Sequence, residues 1–419
     1  MEQVSALRVI FSLAFVLLAI GLLEYYAFKG VYITFGNGRS SMRNVKWIYW
    51  CITAMQWGML FLMMFRFGTL RESNPQLLMG LFAAFIVIAA PKLVMSVFHL
   101  IDDARLLITK GYFKIRPSGN GGEVISRATF ITRTGQYLGL AAFGGFLYGV
   151  TKGRFNYRVI AHELRSAVLP KSFDGLRIVQ ISDAHLGSFA EQFDDVKKGI
   201  DMINSLDADY VFFTGDMVNN LSEEAEPWIP YFKEIKAKYG KYSIFGNHDY
   251  GDYGRISEDE KRASQQRLIA IQEEMGFEML MNRSVQLERN GEVIDLIGVE
   301  NWGNHFRKSG DLAKALEGTD EKRFQILLSH DPTHWEQQVH EKTKIDLTLS
   351  GHTHGMQMGV EVPALGIKWS PAAFQYKRWG GLYKEAEQYL HVNRGFGFLG
   401  FPGRVGMWPE ITLIELKNA

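Results

Sequence analysis

The stretch SGHTHG, Ser350 to Gly355, decides how this chain is read. It follows directly on the apolar run Ile345–Leu349, so the order is buried strand, glycine turn, then two imidazoles two residues apart. In an open α/β sheet the carboxyl ends of the strands are where ligands bind. Two histidines in one loop are also an ordinary surface feature. The two readings separate on whether other strand ends supply partners.

Four other strand ends do. Leu176–Ser182 (LRIVQIS) is a short, β-branched apolar run that reads as a buried strand, and Asp183-Ala184-His185 follows it. Tyr210–Thr214 is followed by Gly215-Asp216, Tyr242–Phe245 by Gly246-Asn247-His248-Asp249, and Phe324–Ser329 by His330-Asp331. Aspartate and asparagine cap helices and make turns, so any one of these has a bland explanation. Five in succession, at one edge of one sheet, exceed what turn chemistry explains. Between them, Glu191–Leu206 has helical spacing of its apolar residues, and Ser257 with Glu260 forms a capping box for a helix running to Met275. Asn290-Gly291 marks a hairpin between Ser284–Glu288 and Val293–Val299, and Leu390–Asn393 and Ile411–Leu416 close the domain as strands. Strands alternating with helices, plus hairpins, predict sheets packed between helical layers.

The chemistry is that of a metal pair. Asp183, His185, Asp216, Asn247, His330, His352 and His354 are too many ligands for one ion. Imidazole and oxygen donors without thiolate suit manganese, iron, zinc or cobalt, and ligand type does not choose among them. Two divalent ions can clamp a phosphoryl group and lower the pKa of a water between them, giving a hydroxide nucleophile near neutral pH. A carboxylate such as Asp216 can bridge two ions.

The order DxH, GD, GNHD, H, GHxH resembles the calcineurin-like metallophosphoesterase superfamily, from about Leu176 to the C-terminus. The resemblance implies a four-layer α/β/β/α sandwich with a dinuclear centre. Carried over by position, Asp183, His185 and His354 would bind one metal, and Asn247, His330 and His352 the other, with Asp216 bridging. His248 matches the family's non-ligand histidine, which contacts phosphate and protonates the leaving oxygen, and Asp249 would hold that imidazole in orientation. Asn219 stands where the family often has aspartate, at a position that is not a ligand. SDAHLG, GHTHGMQ and the tail around Asn393-Arg394-Gly395, Pro402, Arg404 and Pro409-Glu410-Ile411 are similar to membrane-associated phosphoesterases of the YkuE and YaeI type. The chlamydial UDP-2,3-diacylglucosamine pyrophosphatase and a vertebrate transmembrane protein with a metallophosphoesterase domain belong to the same neighbourhood.

The first 150 or so residues differ in character. Val4–Leu23, Trp47–Phe65, Leu77–Ile101 and Tyr137–Val150 are apolar runs, each read as a membrane span because about 20 mostly apolar residues cross a bilayer. The fourth is short and glycine-rich, which suits close helix packing; three spans with this segment as an interfacial helix is the alternative. Pro91-Lys92 interrupts the third, and a lysine there either snorkels or faces the bundle interior. The expected organisation is a membrane domain over 1–152 with four transmembrane helices and a phosphoesterase domain over 155–419. This makes a multi-pass protein of a bacterial inner or plasma membrane. Lys29, Arg39, Arg43 and Lys46 share one side with the loop from Arg105 to Arg133, and the positive-inside rule puts the C-terminal domain on the other, outer side.

The 419 residues carry 46 basic and 45 acidic side chains, a balance that gives no sign of a nucleic-acid partner. A single cysteine, Cys51, rules out a disulfide framework and a thiolate zinc site. Aromatics crowd between Met356 and Trp408, interleaved with Lys368, Lys377, Arg378, Arg394 and Arg404. They read either as packing or as an apolar, cationic approach to the site for membrane lipids, with Arg404 a phosphate contact. His99, His162, His334, His340 and His391 read as structural, and His305 as a candidate for the site's edge. The expected activity is hydrolysis of a phosphodiester or pyrophosphate, the expected substrates being lipid-linked; a UDP-2,3-diacylglucosamine pyrophosphatase-like enzyme is the alternative. A non-catalytic binding module or a transporter with a regulatory domain are readings of another class, the latter resting on Lys92 and Asp102-Asp103.

Overall fold

A computed structural model describes residues 18–32, 39–115 and 123–419. The chain divides into two compact units, Met1–Tyr148 and Gly149–Ala419.

The first unit is helical: 18–32, Arg39–Ser73, Pro75–Ile115 and Glu123–Thr151, the last running on across the division. Two stretches, Met42–Leu70 and Pro75–Thr109, are long and apolar enough to cross a membrane. They contain the expected second and third spans. The expected first span begins outside the described residues, and the fourth is the C-terminal half of Glu123–Thr151. The helix Pro75–Ile115 continues through Pro91. A Cβ added to Gly139 would stand 2.8 Å from the Met95 side chain, so the absence of a side chain permits that approach.

Lys92 does not snorkel. Its Nζ donates to both oxygens of Glu24 (2.9 and 3.0 Å), to Thr53 Oγ1 (2.9 Å) and to Gln56 Oε1 (2.8 Å). Tyr49 Oη (2.5 Å) and Trp57 Nε1 (3.1 Å) donate to the same glutamate. A buried charge is tolerable when paired and fully hydrogen-bonded, and this network joins three helices through such a pair.

The second unit holds two six-stranded sheets. The first has the order β1 (Arg158–Ser166), β14 (Glu410–Asn418), β2 (Leu176–Ile181), β3 (Tyr210–Phe213), β4 (Gly240–Ser243), β5 (Glu278–Met279). The second has the order β12 (Gly381–Glu385), β13 (Gln388–Val392), β9 (Leu347–Ser350), β8 (Gln325–Leu328), β7 (Glu292–Gly298), β6 (Arg283–Arg289). A separate hairpin pairs β10 (Val360–Val362) with β11 (Ile367–Trp369). Strands β2 to β5 are parallel, as are β7, β8, β9 and β13. Asn290 and Gly291 both have positive φ (53° and 81°) and join β6 to β7, as a two-residue hairpin turn requires.

The layers follow from which faces are apolar. Ile178 and Phe212 of the first sheet, with Ile244 just after β4, pack on Leu296, Ile326, Leu328 and Leu349 of the second. The other face of the first sheet is covered by Val196, Ile200 and Ile203 from the helix Phe193–Ser205 and by Leu268 and Ile271 from Glu258–Glu274. The outer face of the second carries Leu312, Trp335 and Val339. The sandwich is therefore four-layered. The strand β1, which pairs parallel with β14, was not evident in the sequence, because only Leu164 on it is buried.

A candidate dinuclear metal centre

The ligand-bearing loops leave the carboxyl ends of β2, β3 and β4 in one sheet and of β8 and β9 in the other. The expectation of one sheet edge is corrected here: three loops come from one sheet and two from its partner. They meet because Gln180 on β2 donates across the sandwich to the Ser350 carbonyl at 2.8 Å, and Gly351 N donates to the His330 carbonyl at 2.9 Å.

Two clusters result. Asp183, His185 and His354 form one, and Asp216, His330 and His352 the other, with the ligand atoms of each within 4.8 Å of one another. In the first, His185 Nε2 lies 3.1 Å from His354 Nε2, and Asp183 Oδ1 lies 3.3 Å from His354 Nε2. In the second, His330 Nε2 lies 3.1 Å from Asp216 Oδ2 and 3.3 Å from His352 Nδ1. Asp216 Oδ2 is also 3.6 Å from His185 Nε2 and so stands between the clusters. Asn247 is buried; its Nδ2 donates to Tyr253 Oη at 2.9 Å, while its Oδ1 has no hydrogen-bond partner. A buried amide oxygen without a donor is costly. Beside two clusters of imidazole and carboxylate, it fits a hard or borderline divalent cation, and the residues present fit two such ions.

The electrostatics agree. Burial opposes charge on Asp183 and Asp216, yet His354 and His330 beside the first, and His330 and His248 beside the second, hold both carboxyls below the ordinary range. Burial pushes His185 well below the usual imidazole value and lowers His352, which keeps their lone pairs free. His330 is the exception: against burial, the Asp216 carboxylate raises it to about 10.

The backbone is strained where the ligands sit. Asp183, His185, Asp216, His352 and His354 all have left-handed φ, between 46° and 73°. Each such residue costs of order 1–3 kcal/mol and persists only when its surroundings over-determine it. The glycines explain part of that constraint. A Cβ on Gly246 would lie 2.2 Å from Asp216 Oδ1, and one on Gly351 would lie 2.3 Å from Asp183 Oδ2.

His248 is half-buried at the edge of the clusters, its ring centroid 5.0 Å from that of His185. Its backbone N–H donates to Asp216 Oδ1 at 2.8 Å. Its Nδ1 is 2.7 Å from the Asn219 carbonyl oxygen, and Tyr253 stacks on the ring at 4.3 Å. Asp249 does not orient this ring. Its oxygens accept from the backbone N–H groups of Gly246 (2.8 Å), Asp216 (2.8 Å), Met217 (2.8 Å) and Val218 (3.3 Å), so it clips two ligand loops together. Burial and the neighbouring Asp216 raise its pKa to about 7.

Arg404 is not a phosphate contact. It is fully buried and donates to the carbonyls of Gly397, Met407, Arg394 and Gly395, with Nη2 also 3.3 Å from His354 Nδ1. Arg378 pairs with Glu336 and Glu385, and Arg394 with Glu361. Of the aromatic stretch, Phe396, Phe398 and Phe401 are buried, whereas Trp369 and Phe374 are exposed. His305 is exposed; its neighbour Phe306 packs edge-on against His352 at 4.5 Å instead. Tyr376, whose Oη lies 2.8 Å from His352 Nε2, and Tyr253 are site residues that spacing did not single out. His334 (Ser329, Gln338) and His391 (Gln180) are held in structural bonds.

Comparison with known proteins bears on the same residues. The family description "Calcineurin-like phosphoesterase" matches residues 176–356, and "Probable Calcineurin-like phosphoesterase, transmembrane domain" matches 7–154. The uncharacterized metallophosphoesterase YkuE of Bacillus subtilis is 32% identical over 67% of this chain and 92% of its own length. The transmembrane protein with metallophosphoesterase domain of Danio rerio is 31% identical over 65% of this chain, which spans 60% of that protein. The UDP-2,3-diacylglucosamine pyrophosphatase LpxG of Chlamydia trachomatis is 30% identical over 55% of this chain and 81% of its own length.

Proposed function

The chain belongs to the calcineurin-like phosphoesterase family, is a hydrolase with an N-terminal transmembrane domain, and from that premise we propose that it cleaves a lipid-linked phosphodiester or pyrophosphate at a two-metal centre. We take 1–152 as a four-span membrane domain and 155–419 as the catalytic one.

The observation that carries the reading is the position of Asp216. Its Oδ2 faces His330 Nε2 at 3.1 Å and His185 Nε2 at 3.6 Å, one from each cluster. Asp183, His185 and His354 would hold one divalent ion, Asn247, His330 and His352 the second, and Asp216 both. When bound, such a pair stabilises charge on a phosphoryl oxygen and lowers the pKa of water. The remaining work falls to the chain. His248, with Nδ1 donating to the Asn219 carbonyl, keeps Nε2 for proton exchange, and from there it protonates the departing oxygen. Tyr253 covers the other face of that ring and holds Asn247 by its Nδ2, which turns Oδ1 into the free ligand atom.

A lipid-linked substrate is supported by the transmembrane domain and by the similarity to a protein named for a diacylglucosamine pyrophosphatase. The transporter reading loses its motive, since Lys92 is paired with Glu24, Asp102 with Arg105 and Asp103 with Lys29. The test is a panel assay of the purified full-length chain with manganese: lipid phosphodiesters and pyrophosphates against water-soluble analogues and phosphomonoesters. Preferred turnover of the lipid substrates is expected. Preference for a soluble phosphomonoester sinks the lipid assignment.

A further inference from the structure

In the unit Gly149–Ala419, nine large apolar side chains are exposed among the described residues, and six of them fall between Met356 and Phe374. Phe374 is 86% exposed, Leu365 71%, Val360 51% and Trp369 48%. A soluble surface scatters such residues singly; a contiguous group marks a binding surface.

The hairpin β10–β11 explains the clustering. Val360 pairs with Trp369 and Val362 with Ile367, so these four share one face. Glu361 and Lys368, paired with each other in register, take the opposite face and are tied inward, Glu361 to Arg394 at 2.8 Å and Lys368 Nζ to the Gly380 carbonyl at 2.5 Å. The hairpin thus fastens its two charged heads to the protein and presents Val360, Ile367 and Trp369 to the surroundings. Its root is fastened to the metal loop. Ser370 Oγ donates to the Gly355 carbonyl at 2.5 Å, and Thr353 Oγ1 to the Trp379 carbonyl at 2.5 Å.

We propose that this face, from Val360 to Phe374, is seated in the acyl and headgroup region of a lipid bilayer, as a second membrane contact of the catalytic domain besides its helical anchor. Three observations select a bilayer as occupant. The transmembrane match extends to residue 154, and the compact catalytic unit begins at Gly149, so no linker separates anchor from domain. The one carboxylate in the hairpin is paired with Arg394, and the head of its one lysine is held on the Gly380 carbonyl, so neither charged head points out from the apolar face. Trp369 and Phe374 meet edge to face at 6.3 Å, and the exposed Lys377 follows three residues after Phe374; aromatic rings and cations of this kind settle at headgroup depth. This seat joins the bilayer to the His352–His354 loop through Ser370 and Tyr376, whatever phosphate the site takes.

The test uses the full chain in a Cys51→Ser background, reconstituted in phosphatidylcholine–phosphatidylglycerol vesicles. An environment-sensitive fluorophore is placed at Leu365→Cys or Phe374→Cys, with Tyr239→Cys as an exposed control elsewhere on the domain. Lipids carrying a spin label on the acyl chain, and aqueous iodide, serve as quenchers. The expected result is acyl-chain quenching at 365 and 374 at least twice that at 239, with the order reversed for iodide. Iodide quenching at 365 and 374 as strong as at 239 overturns the proposal. So does protection from both quenchers, which would mean that another copy of the chain or a protein partner covers the face.

Discussion

His248 and Asn219 are joined through a 2.7 Å contact between the imidazole Nδ1 and a backbone carbonyl oxygen, not through any side chain of the GNHD segment. The partner is therefore set by the loop after β3 and is independent of the residue type at 219. His248→Ala should lower kcat about 10²–10⁴-fold, the usual range for a general acid, with metal content unchanged. Asn219→Ala, which keeps the carbonyl, should leave the rate close to wild type. Rates on a chromogenic phosphodiester, paired with elemental analysis, check both; a collapse of activity in Asn219→Ala would contradict the assignment.

Asp249 is a backbone clip. Asp249→Ala strands four buried N–H groups, each costing about 1–3 kcal/mol, so a stability loss of about 3 kcal/mol or more is expected in chemical denaturation. A variant of normal stability but with the rate defect of His248→Ala would return to Asp249 the orienting role it has in the sequence reading.

Arg404 behaves in the same way. Hydrogen bonds from a charged donor contribute about 1.5–3 kcal/mol each, and several carbonyls depend on this guanidinium. Arg404→Met should lower the melting temperature markedly while KM of the surviving enzyme stays near wild type. A raised KM at unchanged stability would make it a phosphate contact after all.

Asp346 supplies a pH signature away from the metal centre. Burial raises its carboxyl to about 6, opposed by the Gln325 N–H that donates to it at 2.8 Å. Between about 3.9, the ordinary aspartate value, and about 6, the native state binds more protons than the unfolded state, so stability falls as pH rises through that window and is flat above it. Asp346→Asn keeps an acceptor for Gln325 and should remove that slope from a plot of melting temperature against pH. An identical slope in wild type and variant would contradict the shift.

The ligand loops were legible because each follows a short apolar strand, and a strand's end is visible in a single sequence. Their division between two sheets was not, because it depends on β9 lying between β8 and β13, a pairing that no local pattern encodes. Residue type also hides partners. Arg404 could have met a phosphate or carbonyls, and only the folded loops Arg394–Gly397 and Met407 decide. Tyr376 and Phe306 reach His352 from separate segments, one before the ligand strands are complete and one after. The strained φ values of five ligand residues have no signature in a sequence at all, although in a structure they mark the site directly.

Metal stoichiometry in His352→Ala and His354→Ala tests the dinuclear centre most directly. The two residues are one position apart from adjacent, yet they belong to different clusters. A dinuclear centre gives two divalent ions per wild-type chain, one in each variant, and residual ions that differ in affinity between the two variants. A single ion in the wild type, or one ion lost identically by both substitutions, would mean that the HxH pair chelates a single metal and would contradict it.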